Sequence, residues 1–160
     1  MNSSLAQARL LAFVAPALLL GGALASEYLG GLYPCEMCYW QRWPHEVALV
    51  LALFAFVVKR AVKPLVLLAA LAIAISGAIG VFHAGVEYRW WEGVTTCTAM
   101  TPAGGSSADI LKSILTAPVI RCDQPQWTLA GISLAGFNAI FSFAAALVIW
   151  VLATRKRRGA

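Results

Sequence analysis

Residues 129–152 read LAGISLAGFNAIFSFAAALVIWVL, 24 consecutive positions without a charged side chain. Lipid offers no partner to a peptide N–H or C=O, so a segment that crosses a bilayer must satisfy its backbone internally, which about 20 apolar residues in an α-helix achieve. The run is long enough, and the uncharged stretch around it extends from Gln124 to Thr154. The rest of the chain agrees with a membrane class. Of its 160 residues 12% are charged and 61% hydrophobic, whereas about a quarter of a soluble domain is charged. The net charge of +5 does not indicate a nucleic-acid binder, because Lys and Arg form no stripe interleaved with polar residues. They sit between apolar runs.

Working outward from that run, Leu10 to Ser26 holds no charged residue, and Pro64 to Val86 has His83 as its only ionisable side chain. Both are long enough to span. Val47 to Val58 is weaker, with 12 apolar residues between Glu46 and Lys59; extended back to Trp43 it becomes a tilted or snorkelling span. The expectation is one membrane domain over residues 1–160, with spans at about 10–26, 43–58, 64–86 and 128–153. It is an all-α, integral membrane four-helix bundle with outer loops at about 27–42 and 87–127.

Charge asymmetry orients it, since Lys and Arg are enriched in cytoplasmic loops. Arg9, Lys59, Arg60, Lys63, Arg155, Lys156, Arg157 and Arg158 lie before the first span, between the second and third, and after the fourth, with no acid among them. All seven acids fall in or beside the other two connections, with Arg42, Arg89, Lys112 and Arg121. Both termini are therefore expected in the cytoplasm. Tyr33, Trp40, Trp90, Trp91 and Trp127 gather near the outer ends of the spans, as interfacial aromatics do. Ala23-Leu24-Ala25 before Ser26 also fits a cleavable signal peptide, a competing reading that leaves the outer loops outside.

The four cysteines, Cys35, Cys38, Cys97 and Cys122, all lie in the two outer loops. An even number in a compartment that tolerates disulfides reads first as two structural staples. Cys35-Glu36-Met37-Cys38 argues against that, because a Cys-x-x-Cys bridge closes too small a loop to constrain much chain, whereas its spacing suits reversible thiol exchange. Pro34 breaks structure just before it and the second span follows, which puts Cys38 near a helix N-terminus that favours a thiolate. Arg42 stands four residues on, at helical spacing, where a permanent cation shares a face with that sulfur. An interfacial snorkelling arginine is the plain alternative.

The second outer loop, Glu87 to Asp123, is long for a connection. Thr101 to Ser107 reads as a flexible linker, and Ala108 to Leu115 as a short amphipathic helix on the membrane surface. Cys97 and Cys122 flank this stretch. Their bond is either a loop staple or one able to move toward a partner or toward Cys35. Zinc is disfavoured, because structural zinc sites pair two short-spaced knuckles and these two cysteines are 25 apart; no metal site is expected. Haem ligation by His45 and His83 is disfavoured too, with no Cys-x-x-Cys-His motif. His83 is an ionisable group at membrane depth, and such groups are functional candidates; a histidine bonded to a neighbouring helix is the plain alternative.

Together these residues resemble the disulfide bond formation protein B (DsbB) family of bacterial inner-membrane enzymes. The likeness rests on four spans, Pro34-Cys35-x-x-Cys38-x-x-Gln41-Arg42, His83 with Glu87 and Trp91 ahead of Cys97, and Cys122 ahead of Trp127 and Gly131. It implies a membrane thiol oxidase that reoxidises a periplasmic DsbA-like, thioredoxin-fold dithiol protein and passes the electrons to quinone, either ubiquinone or menaquinone. It also implies that the reduced partner attacks a Cys97–Cys122 disulfide at Cys97, and that Cys122 then attacks Cys35. Cys38 is thereby released as a thiolate beside a quinone held near Arg42 and His83. Pro44 and His45 depart from the best-known members. Pro44 is expected in the first turn of the second helix, where proline is tolerated, and His45 is either a second proton donor or an interfacial residue.

Two other readings stand beside this one. A vitamin K epoxide reductase type of enzyme shares the four spans, the quinone and the loop cysteines, but its Cys-x-x-Cys comes near the end of its last core span. A non-enzymatic scaffold stapled by two disulfides is the other.

Overall fold

The computed structural model describes residues 3–94, 106 and 120–155. Four long helices dominate it: α1 (Ser3–Tyr28), α2 (Glu36–Val57), α3 (Val62–Glu87) and α4 (Leu134–Thr154). A 3-10 turn, Lys59–Ala61, joins α2 to α3. The expected surface helix at 108–115 lies outside the described residues, as does Cys97.

Small residues face inward and large apolar ones outward. The buried positions of α2 are Met37, Gln41, His45, Ala48, Ala52 and Ala55, one side of a helix at steps of three and four. The same steps on α4 give Ala135, Ala139, Ser142, Ala146, Ile149 and Ala153. Leu18, Val57, Leu147 and Trp150, by contrast, are more than half exposed. In water this arrangement is inverted; in lipid it is expected, because alkyl side chains gain nothing by turning inward and small residues let backbones approach. Gly80 of α3 shows how close they come, for a Cβ there meets Ala135 O at 2.9 Å and Ala139 N at 3.1 Å. Helix α3 packs along both α2 and α4, and α1 closes against the same two helices.

Among the described residues three segments are long and apolar enough to cross a membrane: Ser3–Tyr28, Lys59–Glu87 and Leu134–Thr154. Helix α2, at 22 residues, spans about 33 Å at 1.5 Å per residue. Its first half carries Glu36, Arg42 and Glu46, which lower its apolarity.

Two helix starts differ from the sequence expectation. The second helix begins at Glu36, because Cys35 is its N-cap (φ −83°, ψ 174°) and the Cys35 sulfur accepts the Cys38 N–H at 3.3 Å. Pro44 is consequently the ninth residue of α2 and not in its first turn. An interior proline removes the N–H that would bond Trp40 O; at the next carbonyl, Gln41 O, Ser76 of α3 donates its hydroxyl at 2.7 Å. The fourth helix begins at Leu134. Residues 128–133 form a hairpin in which β1 (Thr128–Leu129) pairs antiparallel with β2 (Ile132–Ser133). Its two-residue turn, Ala130 and Gly131, has positive φ at both positions (51° and 78°), the type I′ requirement. Ser133 then caps α4 by accepting Gly136 N–H at 3.1 Å.

Candidate functional site

The Cys35 and Cys38 sulfurs lie 2.9 Å apart at the head of α2, ahead of the apolar run that begins at Trp43. Cys35 is buried and Cys38 partly so. The geometry sets the two thiols apart. Either sulfur can donate across this contact; with Cys35 as the donor, that bond and burial push the Cys35 thiol far up, and accepting the bond holds Cys38 below the usual thiol range. Arg42 pulls Cys38 further down and Glu87 opposes it, both more weakly. Cys38 is the natural thiolate of the pair.

Cys122 packs into the same cluster as Cys35, with Met37, Val86 and Ile120 around them. The loop before the hairpin is held over the head of α2 by Gln126, whose Nε2 donates to Tyr33 O at 2.6 Å. Trp91 closes the α3 side. It donates to Phe82 O at 2.9 Å and stacks on the Phe82 ring, and it crosses Gly85 so tightly that a Cβ there overlaps its indole.

Below the sulfurs is a cavity of about 300 Å³. Its apolar walls include Leu18 and Leu19 of α1 and Phe137 and Phe141 of α4, and Cys35, Cys38, Arg42, His45, His83 and Glu87 supply ionisable groups. Apolar walls with a few convergent polar groups are the usual make-up of a small-molecule site. Arg42 reaches this cavity already paired: its guanidinium donates to Glu27 of α1 at 2.5 Å and to Ala23 O at 3.3 Å. It also lies over the Tyr39 ring. The sequence places Arg42 beside Cys38, and the structure adds an acid that shares its charge.

His83 lies with Nε2 3.5 Å from Cys35 Sγ and 3.7 Å from Glu87 Oε1. Cys35, Cys38 and His83 hold their donor atoms within 4.8 Å of one another, a compact group that the two-knuckle argument about zinc did not consider. From His83 a hydrogen-bonded chain runs inward. Gln41 Nε2 contacts His83 Nδ1 at 2.8 Å, Asn138 Nδ2 donates to Gln41 Oε1 at 2.9 Å, and Asn138 Oδ1 lies 3.0 Å from His45 Nε2. Ser76 and Ser142 join the chain at His45 and Asn138. Sequence reasoning did not single out Asn138, Ser76 or Ser142. The available signal was a polar residue in each apolar run, at positions that fall on the inward faces of α3 and α4.

Among the residues that sequence nominated, the fold brings Cys35, Cys38, Arg42 and His83 to one cavity and Cys122 into the same buried cluster as Cys35. Cys97 is outside the described residues. Apolar helices of membrane-spanning length around a buried dithiol define a membrane protein built for thiol chemistry. The family model for "Disulfide bond formation protein DsbB" matches residues 6–152, and the chain belongs to that family of disulfide-formation membrane proteins. It is 29% identical to disulfide bond formation protein B of Chromohalobacter salexigens, over 80% of this chain and 84% of that one. It is 25% identical to the uncharacterized protein RP370 of Rickettsia prowazekii, over 77% of this chain and 73% of that one. No solved structure gives a significant match.

Proposed function

We propose that the chain is a quinone-dependent thiol oxidase of the bacterial inner membrane, a four-span bundle with both termini cytoplasmic and its cysteine loops periplasmic. It reoxidises a DsbA-like dithiol protein and passes two electrons to ubiquinone or menaquinone. The observation that carries this reading is the position of the Cys35–Cys38 pair, which shares a buried cluster with Cys122 and lines a largely apolar cavity.

The reduced partner attacks the Cys97–Cys122 disulfide at Cys97, and Cys122 attacks Cys35 Sγ of the Cys35–Cys38 disulfide. Cys38 leaves as a thiolate, in keeping with its lowered pKa, because exchange runs fastest through the more acidic leaving thiol. The cavity fits a quinone ring, with apolar walls for the ring and prenyl tail and with Arg42 and His83 as polar groups beside Cys38. Quinone supplies a two-electron, two-proton acceptor. Arg42, tied to Glu27, holds positive charge at that end of the cavity, where it stabilises negative charge as it develops.

Thiol trapping tests the reading. After addition of a reduced thioredoxin-fold protein, Cys35 and Cys38 should become alkylatable without quinone and be protected again when quinone is added. Bonds indifferent to both additions would instead mark a stapled scaffold.

A further inference from the structure

On the side of α2 away from its buried positions, Tyr39, Trp43, Glu46, Val50, Leu53 and Val57 follow one another at steps of four and three, and all six are exposed. That spacing repeats every seven residues, as the seam of a left-handed helix pair does. Five of the six are aliphatic or aromatic. The sixth is an acid, and among the described residues it makes no hydrogen bond or ion pair.

Glu46 is also deep. Its neighbour His45 hydrogen-bonds Ser76 of α3 at 2.9 Å and contacts Ser142 of α4 at 3.5 Å. Ser142 lies twelve residues before the end of α4 at Thr154, about 18 Å along the helix, and Ser76 lies eleven residues before the end of α3 at Glu87, about 17 Å. The two helices run antiparallel, Gly80 meeting Ala135 and Gly77 meeting Ser142, so those distances are measured toward opposite ends of the bundle. Glu46 therefore stands near the middle of a hydrocarbon core about 30 Å thick, too deep for its side chain to reach either surface. Acidic side chains at that depth face protein, because lipid gives their hydrogen bonds no partner.

We infer that the partner is a second copy of this chain, docked α2 against α2 with the two Glu46 side chains hydrogen-bonded to each other. The inference rests on the four-span reading above, which puts α2 in the bilayer. A pair of copies inserted in the same orientation has its two-fold axis along the membrane normal, so the two α2 helices run parallel and each seam residue meets its own counterpart at the same depth. A carboxylic acid both donates and accepts, which makes it self-complementary at such an axis; lysine and arginine only donate. One polar residue in an apolar seam also fixes the register of the pair. None of the six residues lines the cavity, so the seam is separate from the thiol site.

The test is energy transfer between two pools of the full chain, labelled at the N-terminus with donor or acceptor, in phosphatidylcholine vesicles as lipid is added. Transfer from the unmodified chain should exceed that of chance proximity and fall on dilution. Glu46→Leu should move the midpoint to about tenfold higher protein density, whereas Glu46→Gln, whose amide also donates and accepts, should stay within about threefold. Leu147→Ala, on the exposed side of α4, should leave the midpoint where it was. Absence of transfer above chance overturns the proposal, and so does a Glu46→Leu chain that associates as tightly as the original or a Leu147→Ala chain weakened equally. In sealed right-side-out vesicles from cells making the chain, an impermeant amine reagent should leave Lys59 and Lys63 unmodified; their labelling would remove the four-span reading as well, whereas protected lysines in a chain that does not associate overturn this inference alone.

Discussion

Gln41 Nε2 lies 2.8 Å from His83 Nδ1 and donates at the same time to Met37 O at 3.1 Å. The backbone carbonyl fixes which end of the amide is nitrogen, so His83 Nδ1 accepts and Nε2 bears the ring proton. That proton faces Cys35 Sγ at 3.5 Å. One glutamine thus sets the tautomer of the histidine nearest the dithiol.

Replacing Gln41 by Leu should therefore do more than remove a side chain. It leaves His83 Nδ1 without its partner, which costs about 1–3 kcal/mol for a buried unsatisfied group, and takes from Asn138 Nδ2 one acceptor of several. Thermal unfolding in detergent should show a loss of about 1–3 kcal/mol, and a variant as stable as the original would mean that water or a rotated Asn138 replaces the amide.

The thiol pair has a pH signature. Because the Cys35 S–H bond lowers the Cys38 pKa, alkylation of Cys38 in the reduced protein should reach half its maximal rate below the pH of an ordinary cysteine, about 8.5. The thiolate is present above the lowered value and is lost as pH falls through it. Cys35→Ala removes the donor, so its profile should move to higher pH. Superimposable profiles would remove the Cys35 bond as the cause.

Arg42 and Glu27 form a second test. Arg42→Ala should raise the Cys38 pKa, seen as an upward shift of the same alkylation profile, and reduce quinone-dependent turnover by about a hundredfold, the usual cost of losing a donor to developing charge. Glu27→Gln leaves the guanidinium unneutralised and should shift the profile the other way. An arginine whose loss changes neither property belongs to the interface and not to the site.

Gly80 tests the packing. A methyl group there is driven into the α4 backbone at Ala135 and Ala139, and overpacking of this kind costs about 1–3 kcal/mol. Gly80→Ala should unfold earlier on heating, whereas Gly21→Ala, with open space around it, should not.

What the sequence makes legible follows from the range of each interaction. The uncharged runs locate α1, α3 and α4 because span length is a property of the chain alone. The start of α2 is less legible, since a cysteine is not an ordinary cap and a charged first turn does not look like membrane. Pro44 reads as opening a helix in whose interior it stands. Within the site, Cys38 and Arg42 share a helix, so spacing alone relates them. The Arg42 partner Glu27 sits across the loop on α1, and the amides that join His83 to His45 come from α2 and α4. No local period encodes such pairings; they appear only when the helices are packed.

The most direct measurement is oxidation of a reduced periplasmic thioredoxin-fold dithiol protein by the purified chain, with and without quinone, following quinone absorbance. The predicted result is turnover that requires quinone, consumes one quinone for each disulfide formed and disappears in Cys35→Ser. No turnover with ubiquinone or menaquinone, while the thiols keep one state throughout, would contradict it.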